Sequence, residues 1–277
     1  MTKSELSADG RAHRLYDGNW MPMLGFGVWE LSNGAECENS VRWAIEAGYR
    51  HIDTAQAYRN EESVGRALRD SGIVRDEVFV TTKFYPAAGA DPAVELENSL
   101  RRLGLDYVDL YIIHWPAGRP TWAWPGMQQA HASGRTRSIG ISNFSVAELT
   151  TLLRSAETAP AVNQVQFSPY EHRARLLDAC RQVDVVLEAY SPLGHGSHLS
   201  SELVATIAER HGRTPAQVLL RWGIEQQVPL LATSRNRDHI AANAKIFDFT
   251  LTDLDHKELA DLDRTGGTDQ AQERKWW

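Results

Sequence analysis

Short runs of apolar and β-branched residues recur along the chain, at Gly25 to Trp29, His51 to Ala55, Val78 to Phe84, Tyr107 to Trp115, Arg137 to Asn143, Ala161 to Ser168, Val185 to Ser191 and Pro229 to Ser234. Between them the apolar positions shift to helical spacing, at Ala35 to Ala47, Glu61 to Asp70, Pro92 to Leu103, Trp122 to Ala132, Val146 to Ser155 and Ala174 to Val183, then as a pair at Ser201 to His211 and Pro215 to Gln226. Start signals support several of these helices: Asn60 ahead of Glu62 and Ser63, Ser145 with Glu148 at the capping-box spacing, and Thr214 before Pro215. Strands that alternate one by one with helices run parallel, and about eight such units close into a (β/α)8 TIM barrel. A hairpin over Arg14 to Leu24, turning at Asp17-Gly18, precedes the barrel, and additional C-terminal helices follow from Arg237 onward.

The 277 residues suit one barrel of roughly 250 residues, and no linker, charge block or repeat divides the chain, so residues 1–277 read as a single domain. A net charge of −7 opposes a general nucleic-acid or anionic-membrane surface. No apolar run has the length of a membrane span and the first residues do not resemble a signal peptide, so a cytoplasmic protein is expected. Cys37 and Cys180, the only cysteines, form neither a disulfide framework nor a zinc spacing, and no metal is expected.

An open doubly wound sheet would carry G-x-G-x-x-G after its first strand; Gly25-Phe26-Gly27 lacks the third glycine. In a parallel barrel the active-site mouth lies at the C-terminal ends of the strands. Nearly every strand here ends in a polar residue: Asp53, Lys83, His114, Ser142 with Asn143, Gln164, Tyr190 and Ser234, with Tyr58 just beyond the second strand. Each alone reads as a cap, a solvated cation or a core histidine; their coincidence at one end is what points to function. A phenol is a poor acid near neutral pH unless a cation stabilises its phenolate, which Lys83 can supply while Asp53 holds the ammonium. His114 can donate a hydrogen bond to a substrate carbonyl. None of these four supplies two electrons, so a hydride-carrying cofactor is implied. Ser142, Asn143 and Gln164 can grip a carboxamide, and Tyr190 can stack on a nicotinamide face.

These residues sit in motifs that resemble the aldo-keto reductases. GYRHIDTAQAYRNEESVGRAL at 48–68 resembles the signature of that family, followed by VTTKF around Lys83, DLYIIHWP around His114, RSIGISNF from Arg137, AVNQVQFSPY from Ala161 and AYSPLG from Ala189. The pattern is most similar to the short bacterial members of 2,5-diketo-gluconic acid reductase type. The resemblance implies Tyr58 as general acid, Asp53 and Lys83 as the pair that tunes it, and His114 as the carbonyl orienter. It also implies that Ser142, Asn143 and Gln164 hold the carboxamide, that Tyr190 stacks on the nicotinamide, that Ser191, Leu193 and Gly194 contact the pyrophosphate, and that Val28 and Trp29 lie beside cofactor and substrate. At the adenosine end Thr233, Ser234, Arg235, His239 and Asn243 are the corresponding positions. There NADPH-preferring relatives carry a Lys at the place of Thr233 and an Arg at the place of His239. Losing both cations weakens the grip on a 2′-phosphate, so NADPH, NADH or both are expected, with a tilt towards NADH unless Arg235 or Arg237 compensates. A further departure, Phe167-Ser168-Pro169-Tyr170 in place of a His before the Pro, reads as structural variation.

Trp29, Tyr58, Phe84, His114 and Trp115, with Tyr85, are expected to line a pocket for a small-molecule carbonyl substrate, and the terminal Trp276 and Trp277 to fold over its mouth or pack elsewhere. The short stretch from Gly194 to Ser201 implies a reduced loop over the cofactor. Three other readings use the same residues: a metal-dependent barrel hydrolase built on His51, Asp53, Lys83 and His114, a Schiff-base aldolase with Lys83 as nucleophile, and a nicotinamide-binding regulatory subunit with little turnover. The first lacks the His-x-His pair of barrel hydrolases, the second is opposed by Asp53, which keeps Lys83 protonated, and the third by the complete catalytic set. A monomer is expected from the resemblance.

Overall fold

The computed structural model describes residues 5–87, 89–117, 121–267 and 269. Three short strands, β1 (Glu5–Leu6), β2 (Ala12–Arg14) and β3 (Trp20–Pro22), form an antiparallel sheet in which β2 and β3 are the expected hairpin. Leu24, read as its last residue, already belongs to the next strand. Eight parallel strands then close into a barrel in chain order: β4 (Leu24–Gly27), β5 (His51–Asp53), β6 (Phe79–Phe84), β7 (Val108–Ile113), β8 (Thr136–Ser142), β9 (Val162–Gln166), β10 (Val186–Tyr190) and β11 (Leu230–Ala232). The seam between β11 and β4 pairs Leu230 with Leu24.

Helices α1 (Ala35–Glu46), α2 (Glu61–Ser71), α3 (Pro92–Leu103), α4 (Trp124–Ala132), α5 (Val146–Leu153) and α6 (Ala174–Gln182) each follow a barrel strand, and α7 (Glu202–His211) with α8 (Pro215–Glu225) form the expected pair between β10 and β11. Helices α9 (Arg237–Asn243) and α10 (Asp253–Ala260) come last. The capping box at Ser145 forms as its spacing implies, and Thr214, expected as a helix start before Pro215, forms one too, with Gln217. Asn60 does not cap α2: its amide donates to the carbonyls of Val28 (2.9 Å) and Leu31 (3.0 Å), and its oxygen accepts from Thr54 (3.0 Å). It thereby ties the loops after β4 and β5 together, a long-range role that a cap-like spacing conceals.

The pleat sorts the strand residues. On β7 the Tyr111 hydroxyl reaches Pro92 at the start of α3, so Tyr111 faces the helices and its neighbours Leu110 and Ile112 face inward. Leu110, Ile112, Phe79, Val162 and Val186 pack with Leu15 and Met21 from the hairpin, which close the N-terminal end of the barrel with apolar side chains. The larger apolar layer lies between strands and helices. Among the described residues no helix is long and apolar enough to cross a membrane, and both cysteines are buried and unpaired.

Candidate active site

With one end of the barrel filled by apolar residues, polar inward positions collect at the other. On β6 the Thr82 hydroxyl bonds Glu61 of α2 (2.6 Å), which puts Thr82 and Phe84 outside and Thr81 and Lys83 inside. The Lys83 ammonium, fully buried, donates to Asp53 Oδ1 and to the Thr54 carbonyl (2.9 Å) at the end of β5. It also lies over the face of the Tyr58 ring, 4.8 Å from its centroid. Tyr58 ends a 3-10 turn over Gln56–Tyr58, followed by Arg59 in the left-handed region (φ 58°), and this turn aims the phenol back over the barrel. His114, just past β7, meets the Tyr58 ring edge-on at 5.5 Å between centroids. Its Nδ1 is buried without a hydrogen-bond partner.

Burial, helped by the charge of Lys83, holds the His114 imidazole well below its usual value, so it is neutral near pH 7. Burial first, then the charge of Asp53, holds the Tyr58 phenol well above its usual value. From the residue types alone, Lys83 is expected to lower it. The structure corrects that expectation for a physical reason: the ammonium is already neutralised by Asp53, and burial disfavours a phenolate. The proton therefore stays on Tyr58 until a substrate draws it away.

A second group lies on the neighbouring strands. The Ser142 hydroxyl donates to the Gln164 carbonyl (2.7 Å) and accepts from Asn143 Nδ2 (2.9 Å). Asn143, held at φ 64°, also donates to the His114 carbonyl (3.2 Å) and accepts from the Tyr190 hydroxyl (2.8 Å). Gln164 Nε2 donates to Asp53 Oδ2 (2.8 Å) and Glu188 Oε2 (2.9 Å), joining the two groups across the barrel.

A cavity of about 830 Å³ runs from Asp53, Tyr58 and His114, past Gln164 and Tyr190, to Ser234 and Asn243. That volume lies within the range of ligand and cofactor sites. Trp29, Trp115, Ser142, Asn143, Ser191, Leu193, Thr233, Arg235 and His239 line it too. Five residues expected at the site do not. Phe84 faces outward onto Trp122, 5.9 Å between ring centroids, because adjacent residues of a strand cannot both face the barrel interior. Val28 is fully buried in the outer core, and Gly194 turns the chain beside the cavity with its amide on Ser191. Lys83 sits beneath the wall, behind Asp53 and Tyr58. Tyr85, 40% exposed, is also outside it. Trp276 and Trp277 lie outside the described residues.

At the far end Arg235 pairs with Glu36 (3.1 Å) and donates to the Glu30 carbonyl, while Arg237 turns to Glu46 (2.9 Å). Thr233 is tied to the Gly27 carbonyl (2.8 Å). The stretch expected to be a reduced loop, Gly194–Ser200, is built of 3-10 turns broken by a kink at His195 (φ 55°) and Gly196 (φ 87°), and His195 reaches Trp29 edge-on at 5.1 Å. His195 Nε2 also lies 3.2 Å from the Ser191 hydroxyl.

The aldo/keto reductase family model matches residues 23–264. The chain is 42% identical over 258 residues to a glyoxal reductase of Bacillus subtilis, covering 91% of this chain and 92% of that one. A crystal structure of an aldo/keto reductase from Brucella melitensis superimposes with a TM-score of 0.86 at 40% identity, over 91% of this chain and 99% of the other. That of a Bombyx mori aldo-keto reductase in complex with NADP does so at 0.83 and 32%, over 91% and 92%. The chain belongs to the aldo/keto reductase family. As an aldo/keto reductase it is an oxidoreductase that acts on carbonyl groups with a nicotinamide cofactor.

Two residues of this aldo/keto reductase, Glu188 and His195, were not among those expected at the site, and Asn60 was expected only as a helix start. Glu188 had a signal, an acidic residue inside the apolar run Val185 to Ser191, two positions before Tyr190 and so on the same face of β10. The others had none, because their contacts are made by residues distant in the chain.

The neutral state of His114 has a kinetic consequence. Because its folded value is depressed, the imidazole stays neutral as pH falls through the usual histidine range near 6.5. The cofactor-saturated kcat of this aldo/keto reductase will therefore show no acid limb between about pH 8 and about pH 6. A limb near 6.5 that vanishes in His114→Gln would show instead that the imidazole ionises there.

Proposed function

We propose that the chain reduces small aldehydes and ketones to alcohols, with Tyr58 giving the proton to the carbonyl oxygen and His114 orienting that oxygen. The observation that carries this reading is a protonated phenol beside a neutral imidazole, at the end of the cavity and backed by a fully buried lysine–aspartate pair. A bound reduced nicotinamide supplies the hydride that the carbonyl carbon receives. The residues present suit such a group. His114 Nδ1 has no partner. Both Gln164 amide hydrogens are used by carboxyl oxygens, so the Oε1 acceptor is what remains for a ring carboxamide. Lys83 keeps a positive charge at the ring of Tyr58 as its proton leaves, and Asp53 keeps Lys83 in place. Trp29 and Trp115 give the cavity an aromatic wall suited to small apolar carbonyl compounds. The relative named glyoxal reductase supports small aldehydes among them. The chain acts as a cytoplasmic monomer in this reading, in keeping with its two buried free thiols.

Cofactor choice follows from the adenosine end. Arg237 is turned away to Glu46, and Arg235, though on the cavity wall, is shared with Glu36 and the Glu30 carbonyl. With Thr233 and His239 in place of fixed cations, both NADH and NADPH serve, with NADH favoured. Fluorescence quenching on titration with each, followed by their oxidation with a panel of aldehydes, ketones and keto esters, tests the reading; binding of neither would overturn it. Thr233→Lys with His239→Arg will raise the NADPH-to-NADH affinity ratio by about tenfold, the worth of one charge-assisted contact to the 2′-phosphate. An unchanged ratio would show that Arg235 already serves that phosphate.

A further inference from the structure

The buried Glu188 neither gives nor takes the proton in the transfer described above, yet it lies at the centre of the network behind it. It stands opposite Gln164 in the β9–β10 register, so the two side chains share the inner face of the sheet. Its Oε2 accepts one Gln164 amide hydrogen at 2.9 Å, and Asp53 Oδ2 accepts the other at 2.8 Å. A primary amide alone is free to present either its oxygen or its nitrogen, since rotation about its last bond is soft. Here a flip would set the amide oxygen against two carboxyl oxygens and break both hydrogen bonds. Asp53 by itself fixes one hydrogen; Glu188 fixes the second.

The far oxygen of Glu188, Oε1, is buried without a partner, and 3.7 Å away lies His51 Nδ1, equally buried and unpartnered. The other ring nitrogen of His51 is engaged by the Thr81 hydroxyl at 3.0 Å. Lys83 brings one positive charge to this cluster and Asp53 one negative, so an ionised Glu188 would be an uncompensated charge in a fully buried place. As the neutral acid, Glu188 carries its proton on Oε1, towards His51, and leaves Oε2 as the acceptor for Gln164. Burial and the charge of Asp53 both raise its carboxyl, which favours that state.

We propose that Glu188 is a positioning residue that locks the Gln164 amide with its oxygen towards the cavity, and so makes the site select a nicotinamide ring substituent that donates a hydrogen bond. The inference rests on the nicotinamide reading given above and names the element that enforces it. It requires discrimination between dinucleotides that differ only there: a carboxamide offers an N–H, whereas the acetyl group of a 3-acetylpyridine dinucleotide offers only its carbonyl.

The test is equilibrium binding by tryptophan fluorescence quenching, with no turnover needed, of the nicotinamide and 3-acetylpyridine adenine dinucleotides in matched redox state. Wild-type protein is expected to bind the nicotinamide form tighter by on the order of tenfold, the effect of one hydrogen bond lost inside a closed site. Glu188→Met removes the acceptor and should bring that ratio close to one. Glu188→Gln retains an oxygen for Gln164 and should keep the wild-type ratio, whatever either variant does to the melting temperature. Wild-type protein that binds both dinucleotides equally, a wild-type ratio retained in Glu188→Met, or a ratio lost in Glu188→Gln would each overturn the lock. Wild-type protein that binds neither would overturn the nicotinamide reading itself.

Discussion

Tyr58→Phe will lower kcat for carbonyl reduction by on the order of 10³-fold while leaving the dissociation constant of the cofactor within about twofold of wild type. The substitution removes one hydroxyl and keeps the ring, so the Lys83 ammonium still has an aromatic face 4.8 Å away and the edge contact with His114 survives. What is lost is the phenol that stands beside His114, the other phenol on the cavity wall, Tyr190, being committed to Asn143. His114 cannot replace it as an acid, because burial and Lys83 keep its imidazole neutral. Steady-state kinetics with cofactor binding measured separately decides the matter, and turnover within tenfold of wild type would remove Tyr58 from the role of proton donor.

The Lys83–Asp53 pair predicts the largest effect on the folded state. Lys83→Met leaves Asp53 buried beside Glu188 with no cation, and breaking a buried pair from one side costs about 3–5 kcal/mol. In a chain of this length that is a fall in melting temperature on the order of 10 °C, together with loss of the charge behind Tyr58. Adding Asp53→Asn removes the orphaned charge, so the double variant is expected to regain much of the stability and none of the turnover. Thermal unfolding of the three proteins, with kcat on each, separates the two contributions. If the double variant melts no higher than Lys83→Met, the penalty arises from lost packing of the lysine stem and not from an unpaired carboxylate.

The barrel was legible because its elements are written locally. The alternation of strand and helix patterns, Pro215 after Thr214, and the Ser145–Glu148 spacing all act over a few residues, and the structure has them where the pattern puts them. The short list of chemistry-bearing residues was legible for a similar reason. A polar residue in an apolar run needs a partner wherever it lies, and at a barrel mouth those partners are one another. Phe84 shows the limit of reading by proximity in sequence. Lys83 and Phe84 are adjacent, and the pleat sends one into the barrel and the other onto Trp122. Phe84 could have been excluded by applying period two from Lys83.

Asn60 and Glu188 show a different limit. Asn60 has the spacing of a helix cap and instead joins Val28, Leu31 and Thr54. No local rule distinguishes these uses, because the competing partners are carbonyls supplied by another loop. The electrostatics of Tyr58 likewise depend on how many charges are buried together. The residue types suggested a cation lowering a phenol; three-dimensional packing supplied Asp53 to neutralise that cation and buried the phenol itself, and the phenol is held up. The sequence by itself thus determined the (β/α)8 architecture, the family and the set of groups available for chemistry, since these follow from short-range pattern and residue type. The tertiary structure alone decided which side of each strand those groups take, which are tied to one another and which remain free to meet a ligand, since hydrogen bonds and buried charges depend on neighbours that the chain brings together from far apart.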